Sequence, residues 1–361
     1  MEQKSNTPDI LDLLIRPGFC VKNNRIVRLN QQASSLMLTE GMDITELLGT
    51  GKDVFQEFRD GCLYLTLCHC GQSWECSVIA MEDQYLFILE QDEGLTELQA
   101  IALAAKELRF PLANIMTTAD QLFPTVAESG DAFIQDQVAR LNRGLYQMLR
   151  IIGNMSDAHQ WATSSYSHME TVDIIAEIDE IFANAVRLID HTELTLSYTG
   201  LPEKLYCLAD RAMLERAILN IISNAVKFTP KGGSVEATLS RSGNSLRLSV
   251  QDSGSGIAQA LRSSIHNRYL RQPVIEDSRF GIGLGMVLIR SAAAKHGGTV
   301  LIDHPSGAGT RVTMTLGIRQ NPSNIVRSNM FRVDYAGERD HGLIELSDHL
   351  PASLYDAEQL N

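Results

Sequence analysis

After Asp92-Glu93-Gly94 the spacing of apolar residues switches to three and four: Leu95, Leu98, Ala102, Ala105, Leu108, Leu112, Ile115, Ala119 and Leu122 share one helical stripe. A polar link at Glu128-Ser129-Gly130 separates it from a second stripe through Val138, Leu141, Leu145, Met148, Ile152 and Met155. The pattern predicts two long antiparallel helices joined by a short connection over residues 93–165. A two-helix hairpin encloses little core by itself and leaves apolar surface in water. Two arrangements would cover it: pairing with a second copy into a four-helix bundle, or packing on neighbouring domains of the same chain.

A chain of 361 residues, at roughly 150 per domain, has room for two to three domains. Ahead of the hairpin the pattern is strand-like. Phe19-Cys20-Val21, a turn at Lys22-Asn23-Asn24 and Ile26-Val27-Arg28-Leu29 precede a helical stretch from Asn30 to Met37. Three further strands, Cys62 to Leu67, Ser73 to Val78 and Tyr85 to Leu89, are bounded by turn signals at Asp60-Gly61, Gly71-Gln72 and Glu82-Asp83. This order, over residues 1–92, resembles a PAS-type sensor fold, with no ligand legible. Five of the six cysteines, Cys20, Cys62, Cys68, Cys70 and Cys76, lie in this first quarter. On a strand, Cys68 and Cys70 would share one face. Metal ligation or redox sensing there competes with a purely structural role, and the spacing matches no standard zinc pattern because a second close pair is missing.

After a Ser-, Thr- and His-rich link around residues 164–170, helices alternate with strands. Helices are expected over Val172–Leu188 and Arg211–Lys227. Strands are expected over Leu194–Tyr198, Ser234–Ser240, Ser245–Gln251, Gly298–Asp303 and Gly309–Leu316. That is an α+β pattern with helices on one sheet. The tail, 319–361, is acidic and polar apart from Leu343-Ile344-Glu345-Leu346, and is expected to pack locally or fray.

The chemistry concentrates in this third part. Asn220 and Asn224 stand four apart on an otherwise apolar helix that ends in Lys227 and Phe228. A carboxamide oxygen can ligate a hard cation beside phosphate oxygens, and a lysine one turn on adds positive charge. Asn side chains bonding neighbouring backbone would give the same spacing. Next, a strand runs into Asp252-Ser253-Gly254-Ser255-Gly256, where a carboxylate can accept from an exocyclic amine and glycines let backbone approach a ring. Last, Phe280-Gly281-Ile282-Gly283-Leu284-Gly285 opens a helix whose N-terminal amides suit phosphate.

With these three elements in order, residues 168–318 resemble the ATP-binding domain of sensor histidine kinases. Its superfamily includes gyrase, the heat-shock chaperone of ninety kilodaltons and mismatch-repair ATPases. The resemblance implies a Bergerat-type α/β sandwich binding ATP and Mg2+. It implies Asn224 as the Mg2+ ligand with Asn220 beside it, Lys227 on phosphate, Phe228 against adenine and Asp252 on the adenine amine. Gly254 and Gly256 would shape the pocket, and Gly281, Gly283 and Gly285 would supply the lid hinge and phosphate contacts. Ile265 to Arg271 looks like a degraded F box. Hydrolytic members of the superfamily carry a glutamate where this chain has Asn220, so rapid hydrolysis is not expected.

The hairpin fits the same family, whose signature His-Glu-Leu-Arg-Thr-Pro-Leu becomes Lys106-Glu107-Leu108-Arg109-Phe110-Pro111-Leu112. Lys106 stands at the phosphoacceptor histidine. A protonated lysine has no lone pair with which to attack a γ-phosphorus. Phe110 stands where the family orients water for dephosphorylating its regulator, and it has no hydrogen-bonding group. Glu107 is left without the histidine whose proton it would accept. Three readings stay open. The chain is a degenerate family member acting by conformation or through a partner kinase or response regulator, an active kinase whose acceptor lies in trans, or a non-signalling ATPase or scaffold.

A net charge of −13 argues against a surface built for nucleic acid. No apolar run reaches the roughly 18 residues of a membrane span, and no signal peptide is readable at the N-terminus, which points to the cytoplasm. The fold class expected is thus α+β multidomain: a PAS-like domain, a helical hairpin forming a dimeric bundle, and a Bergerat-type sandwich.

Overall fold

Apolar alternation and turn residues build the first ninety residues into strands β1 (Gly18–Lys22), β2 (Arg25–Leu29), β3 (Cys62–His69), β4 (Gln72–Ala80) and β5 (Tyr85–Leu89). Helices α1 (Gln31–Ser35) and α2 (Lys52–Glu57) lie between β2 and β3. The computed structural model describes residues 11, 14, 16–81, 83–89, 93–127, 130–163, 168–256, 284–305, 309–319 and 339–356. Asn30 starts α1 for a readable reason. Its Oδ1 accepts from Ala33 N at 2.9 Å and Gly18 N at 3.0 Å, while its Nδ2 donates to Arg16 O at 2.8 Å. One side chain thus caps the helix and ties it to β1. The core above is aromatic and filled: Phe19 and Phe87 stack with centroids 5.0 Å apart, and Phe55 meets Phe87 edge-on.

One element of this region departs from its sequence reading. β3 ends at His69, and Cys70 sits in the turn with φ +50°, so Cys68 and Cys70 do not share a strand face. Both are exposed, whereas Cys20, Cys62, Cys76 and Cys207 are buried. Among the described residues no group of three His, Cys, Asp or Glu is placed to hold a metal.

The hairpin consists of α3 (Glu93–Ala127) and α4 (Ala132–Thr163), with Pro111 and Pro124 inside α3. The predicted stripes divide between two faces. Ala105, Leu112, Met116, Ala119 and Phe123 of α3 pack on Val138, Leu145 and Ile152 of α4. Leu108, Ile115, Leu122, Leu141 and Met148 of the same stripes face outward, as do Leu103, Phe110 and Ile151. No helix among the described residues is long and apolar enough to cross a membrane.

Beyond the hairpin come β6 (Glu170–Asp173), α5 (Ile174–Ile189), β7 (Thr195–Thr199), β8 (Tyr206–Ala209), α6 (Arg211–Phe228), β9 (Ser234–Ser242) and β10 (Ser245–Asp252). Then follow α7 (Leu284–Lys295), β11 (Val300–Asp303), β12 (Arg311–Gly317) and α8 (His341–Glu345). The helix expected from Val172 begins only at Ile174. Val172 instead pairs with Cys207 in the small β6–β8 sheet, which sequence reasoning missed because each strand is only four residues long. Strands β9 and β10 alternate inward and outward, and their buried sides carry α5, α6 and α7 in one large core.

The main sheet does not stop at the third part of the chain. Its order is β2-β1-β5-β4-β3-β11-β12-β10-β9-β7, so β3 of the first region pairs antiparallel with β11 of the last, Leu63 opposite Leu301. The Arg290 guanidinium spans this seam, 4.4 Å from the Tyr64 ring centroid and 3.3 Å from Glu75. Gly61 makes the close approach possible: it has φ +91°, and a Cβ there would lie 2.0 Å from the Ile302 carbonyl oxygen. Gly61→Ala is expected to lower stability by roughly 1–3 kcal/mol through left-handed strain, with the overlap adding to it. Chemical denaturation with an unchanged midpoint would contradict this.

The tail is not frayed where it is described. Leu343, Ile344, Leu346, Leu350, Leu354 and Tyr355 join the large core, and the Tyr355 ring meets Tyr146 of α4 edge-on at 5.1 Å. Burial lowers the His349 pKa to about 4, with Asp348 opposing that shift and Arg150, Lys227 and Arg143 reinforcing it. The unfolded chain therefore takes up this proton first. The stability His349 contributes is complete above the unfolded value near 6.5 and is lost as pH falls toward the folded value. Between pH 7.5 and 5 this group alone should remove about 2 kcal/mol. A His349→Gln variant should show a correspondingly flatter decline in urea midpoint, and identical declines would overturn the assignment.

Candidate nucleotide site

Helix α6 is the backbone of the site. Asp210 caps it, with Oδ1 accepting from Met213 N at 3.1 Å and Oδ2 accepting from His168 N at 2.9 Å. The Asp210 N–H donates to Nε2 of buried His296 at 3.0 Å, while His296 Nδ1 lies 2.7 Å from Ala292 O, so α6 and α7 are joined at this end. Met213, Leu214, Ala217, Ile218, Ile221 and Ile222 of α6 enter the core. Arg216 and Asn220, one helical turn apart, are also buried but carry polar groups.

Asn220 is 3% exposed, and both bonds of its Nδ2 are used: it donates to Arg216 O at 2.9 Å and to Glu345 Oε2 at 3.2 Å. Its Oδ1 therefore faces the start of α7, where a Cβ on Gly285 would come within 2.8 Å of it. Asn224 is half-buried one turn on. Lys227 and Phe228 close the helix, with the Lys227 ammonium 5.6 Å from the Phe228 ring centroid. Partial burial lowers the Lys227 pKa, and the Asp348 carboxylate of the tail works against that shift.

Asp252 ends β10 at 4% exposure. Its Oδ1 accepts from Gly254 N at 2.8 Å and Thr310 N at 3.2 Å, and burial raises its pKa against the pull of both donors. Gly254 abuts the end of α6, because a Cβ there would lie 2.2 Å from the Phe228 carbonyl oxygen. Gly256 lies under the His304 ring. Three stretches far apart in sequence are thus brought together: the Asn220–Phe228 turns, the Asp252–Gly256 turn and the start of α7. The Leu95 side chain, Gly281, Gly283 and the stretch Ile265 to Arg271 lie outside the described residues.

On the hairpin, Lys106, Glu107 and Phe110 are exposed, Phe110 at 75%. Among the described bonds none joins these three to the α6, β10 or α7 residues. The hairpin meets α7 elsewhere: Leu284 and Leu288 pack on Ala158 of α4, with Leu98 and Ile101 of α3 beside them.

Sequence reasoning missed several polar partners. Arg216 bonds Asp157 and Asn154 of α4 and pairs with Glu345 Oε1 at 3.3 Å. A signal for Arg216 was present, since it stands four residues before Asn220 on the same face of an apolar helix. Glu345 interrupts an apolar run and gave a similar signal. Thr310 gave none, because it contributes only a backbone N–H.

Residues 209–320 match the family described as histidine kinase-, DNA gyrase B- and HSP90-like ATPase. Hybrid signal transduction histidine kinase D of Dictyostelium discoideum is 32% identical over 251 residues, covering 66% of this chain and 16% of that protein. The signal transduction histidine-protein kinase/phosphatase MprB of Mycolicibacterium vanbaalenii is 29% identical, covering 61% of this chain and 46% of that one. Residues 209–320 thus carry a histidine kinase-type ATPase domain, and the chain is similar to sensor histidine kinases. A solved structure of full-length ShkA in complex with AMPPNP is 23% identical to this chain. It covers 62% of this chain and 46% of that one, with a TM-score of 0.48. The match spans less than two thirds of the length of each of these proteins.

Proposed function

We propose that this chain binds ATP with Mg2+ in the site built on α6 and acts in two-component signalling without an acceptor histidine of its own in the hairpin. The observation that carries the reading is the convergence of Asp252, Gly254 and Gly285 along the Asn220–Phe228 turns of α6; the resemblance supplies the second half, since it puts Lys106 at the acceptor position. The residues fit the group. Asp252 is a buried carboxylate whose described bonds both go to Oδ1, and Gly254 and Gly285 let backbone approach the Phe228 carbonyl and the Asn220 carboxamide more closely than a side chain would allow. Asn224 would hold Mg2+, Lys227 would meet phosphate, and Phe228 would lie against adenine. Gly256, Gly281 and Gly283 would complete the pocket and its lid. Bound ATP supplies a transferable γ-phosphoryl group.

The consequence for chemistry follows from the hairpin. Lys106 offers no histidine nitrogen to receive that group, and exposed Phe110 can neither donate to nor accept from a water. Glu107 can still accept a proton, but only from an acceptor supplied by another molecule. The chain would then work by conformation, or through a partner kinase or response regulator. The outward apolar residues of the hairpin favour a homodimeric four-helix bundle. The first ninety residues, with an aromatic core under α1 and α2, favour a PAS-like regulatory role. A cytoplasmic location is consistent with the sequence.

Incubation of the purified protein with γ-labelled ATP should leave no acid-labile, base-stable phosphohistidine. Finding one would overturn the reading. The retained nucleotide motifs favour one alternative, an active kinase whose acceptor is another protein's histidine. Label transferred to an added histidine-containing domain would select it.

A further inference from the structure

Residues 340–356 lie outside the 209–320 match and bond both to the hairpin and to the nucleotide-motif unit. On the hairpin side, Arg143 donates from Nε to Ser347 O and from Nη2 to Asp348 O, each at 2.9 Å, and Gln147 Nε2 donates to Ser347 O at 3.4 Å. Buried Asn142 donates to Tyr355 O at 2.9 Å, and Arg150 pairs with Asp348. On the other side, His341 Nδ1 lies 2.8 Å from Glu215 Oε2, and Asn184 Nδ2 donates to Asp340 Oδ1 at 3.0 Å. Between the two stands Glu345, with 0% exposure. Its carboxylate meets Arg216 and Asn220 of α6, and Arg150 Nε of α4 lies 3.8 Å away.

We propose that residues 340–356 are an intramolecular strap that holds the nucleotide-motif unit against the hairpin in one orientation, with Glu345 joining α6 to α4. Two features support a strap over a passive tail. Its bonds to the hairpin are mostly made by hairpin side chains to tail carbonyls, so they can open without unfolding the tail. Ile344 and Leu346 anchor it in the large core beside α5 and α6, while Tyr355 packs edge-on against Tyr146 of α4. Opening would therefore part Ser347, Asp348 and the Tyr355 ring from α4 while leaving Ile344 and Leu346 beside α5 and α6. A unit that must reach an acceptor needs such freedom, and a held orientation withholds it. That consequence rests on the nucleotide reading above, whereas the strap itself does not.

The test uses the full chain with Cys68→Ser and Cys70→Ser, spin labels at Thr117 of α3 and Ser240 of β9, and dilution with unlabelled protein to suppress distances between copies. The parent should give one narrow distance distribution. Arg143→Ala combined with Gln147→Ala, which removes only hairpin-side bonds, should broaden it at least about two-fold, with Arg143→Lys intermediate. Circular dichroism checks that each variant is folded. A broad parent distribution, or an unchanged one in the folded double variant, would overturn the strap. Calorimetry with Mg·ATP on the parent tests the nucleotide reading separately: failure to bind would remove that reading and leave the distance result standing.

Discussion

Asp252→Ala is expected to weaken Mg·ATP binding at least ~100-fold, about 2.7 kcal/mol, from an affinity in roughly the micromolar range. Two losses combine. The carboxylate is the group that would accept from the adenine amine, and a hydrogen bond to a charged group contributes about 1.5–3 kcal/mol. The same carboxylate holds the pocket wall, since Gly254 N and Thr310 N both donate to Oδ1. Removing it leaves those donors without their acceptor in a buried place, at about 1–3 kcal/mol each where water cannot replace it. Asn224→Ala should also lose binding, but for a different reason, and the two variants can be told apart. Asn224 would act through Mg2+, so its variant should keep residual metal-independent binding of nucleotide, while Asp252→Ala should lose both. Isothermal calorimetry with and without Mg2+ separates these outcomes. No heat of ATP binding to folded wild-type protein would sink the nucleotide assignment, and equal affinity for Asp252→Ala would sink the adenine role.

The motifs that carry this prediction were legible because each needs particular residue types at fixed short spacing. Asn220 and Asn224 are one turn apart, and the Asp252–Gly256 turn follows a strand whose alternation is plain from Leu246 to Val250. The hairpin was legible for the same reason, through a period of three to four. Its division into inner and outer faces was not, because Leu108 and Leu112 fit one broad stripe in sequence yet differ in burial once α4 takes one side. The joining of the two sheets was illegible for a stronger reason. The β3–β11 pairing is made by backbone groups, and the side chains concerned, Leu63 and Leu301, would suit any strand. Between the two expectations for the tail, local packing and fraying, composition could not choose. Its acidic, polar composition suggests solvent, and the apolar residues that bury it are scattered from Leu343 to Tyr355 without a period.

Glu345 shows how much that tail matters, and Glu345→Ala is expected to destabilise the folded chain by about 3–5 kcal/mol. The carboxylate is fully buried, beside Arg216 at 3% exposure. Desolvation makes such a pair a weak net contributor while intact and an expensive one to break, because the surviving charge stays in a poorly solvated place. The partners decide the order among variants. Glu345→Gln keeps an oxygen for the Asn220 amide and should lose less than Glu345→Ala. Removing Glu345 still leaves Arg216 bonded to Asp157 and Asn154, which limits the damage. Arg216→Ala takes the shared cation from two carboxylates at once, Glu345 and Asp157, and Glu345 keeps only Asn220 and the more distant Arg150 Nε at 3.8 Å among its described polar contacts. It should therefore cost at least as much as Glu345→Ala, although the arginine is the residue that a reader of the nucleotide motifs would pass over. Guanidinium denaturation at pH 7 gives the three values directly. A loss below about 1 kcal/mol for Glu345→Ala, or an Arg216→Ala variant more stable than it, would show that the cluster is better hydrated than its burial implies.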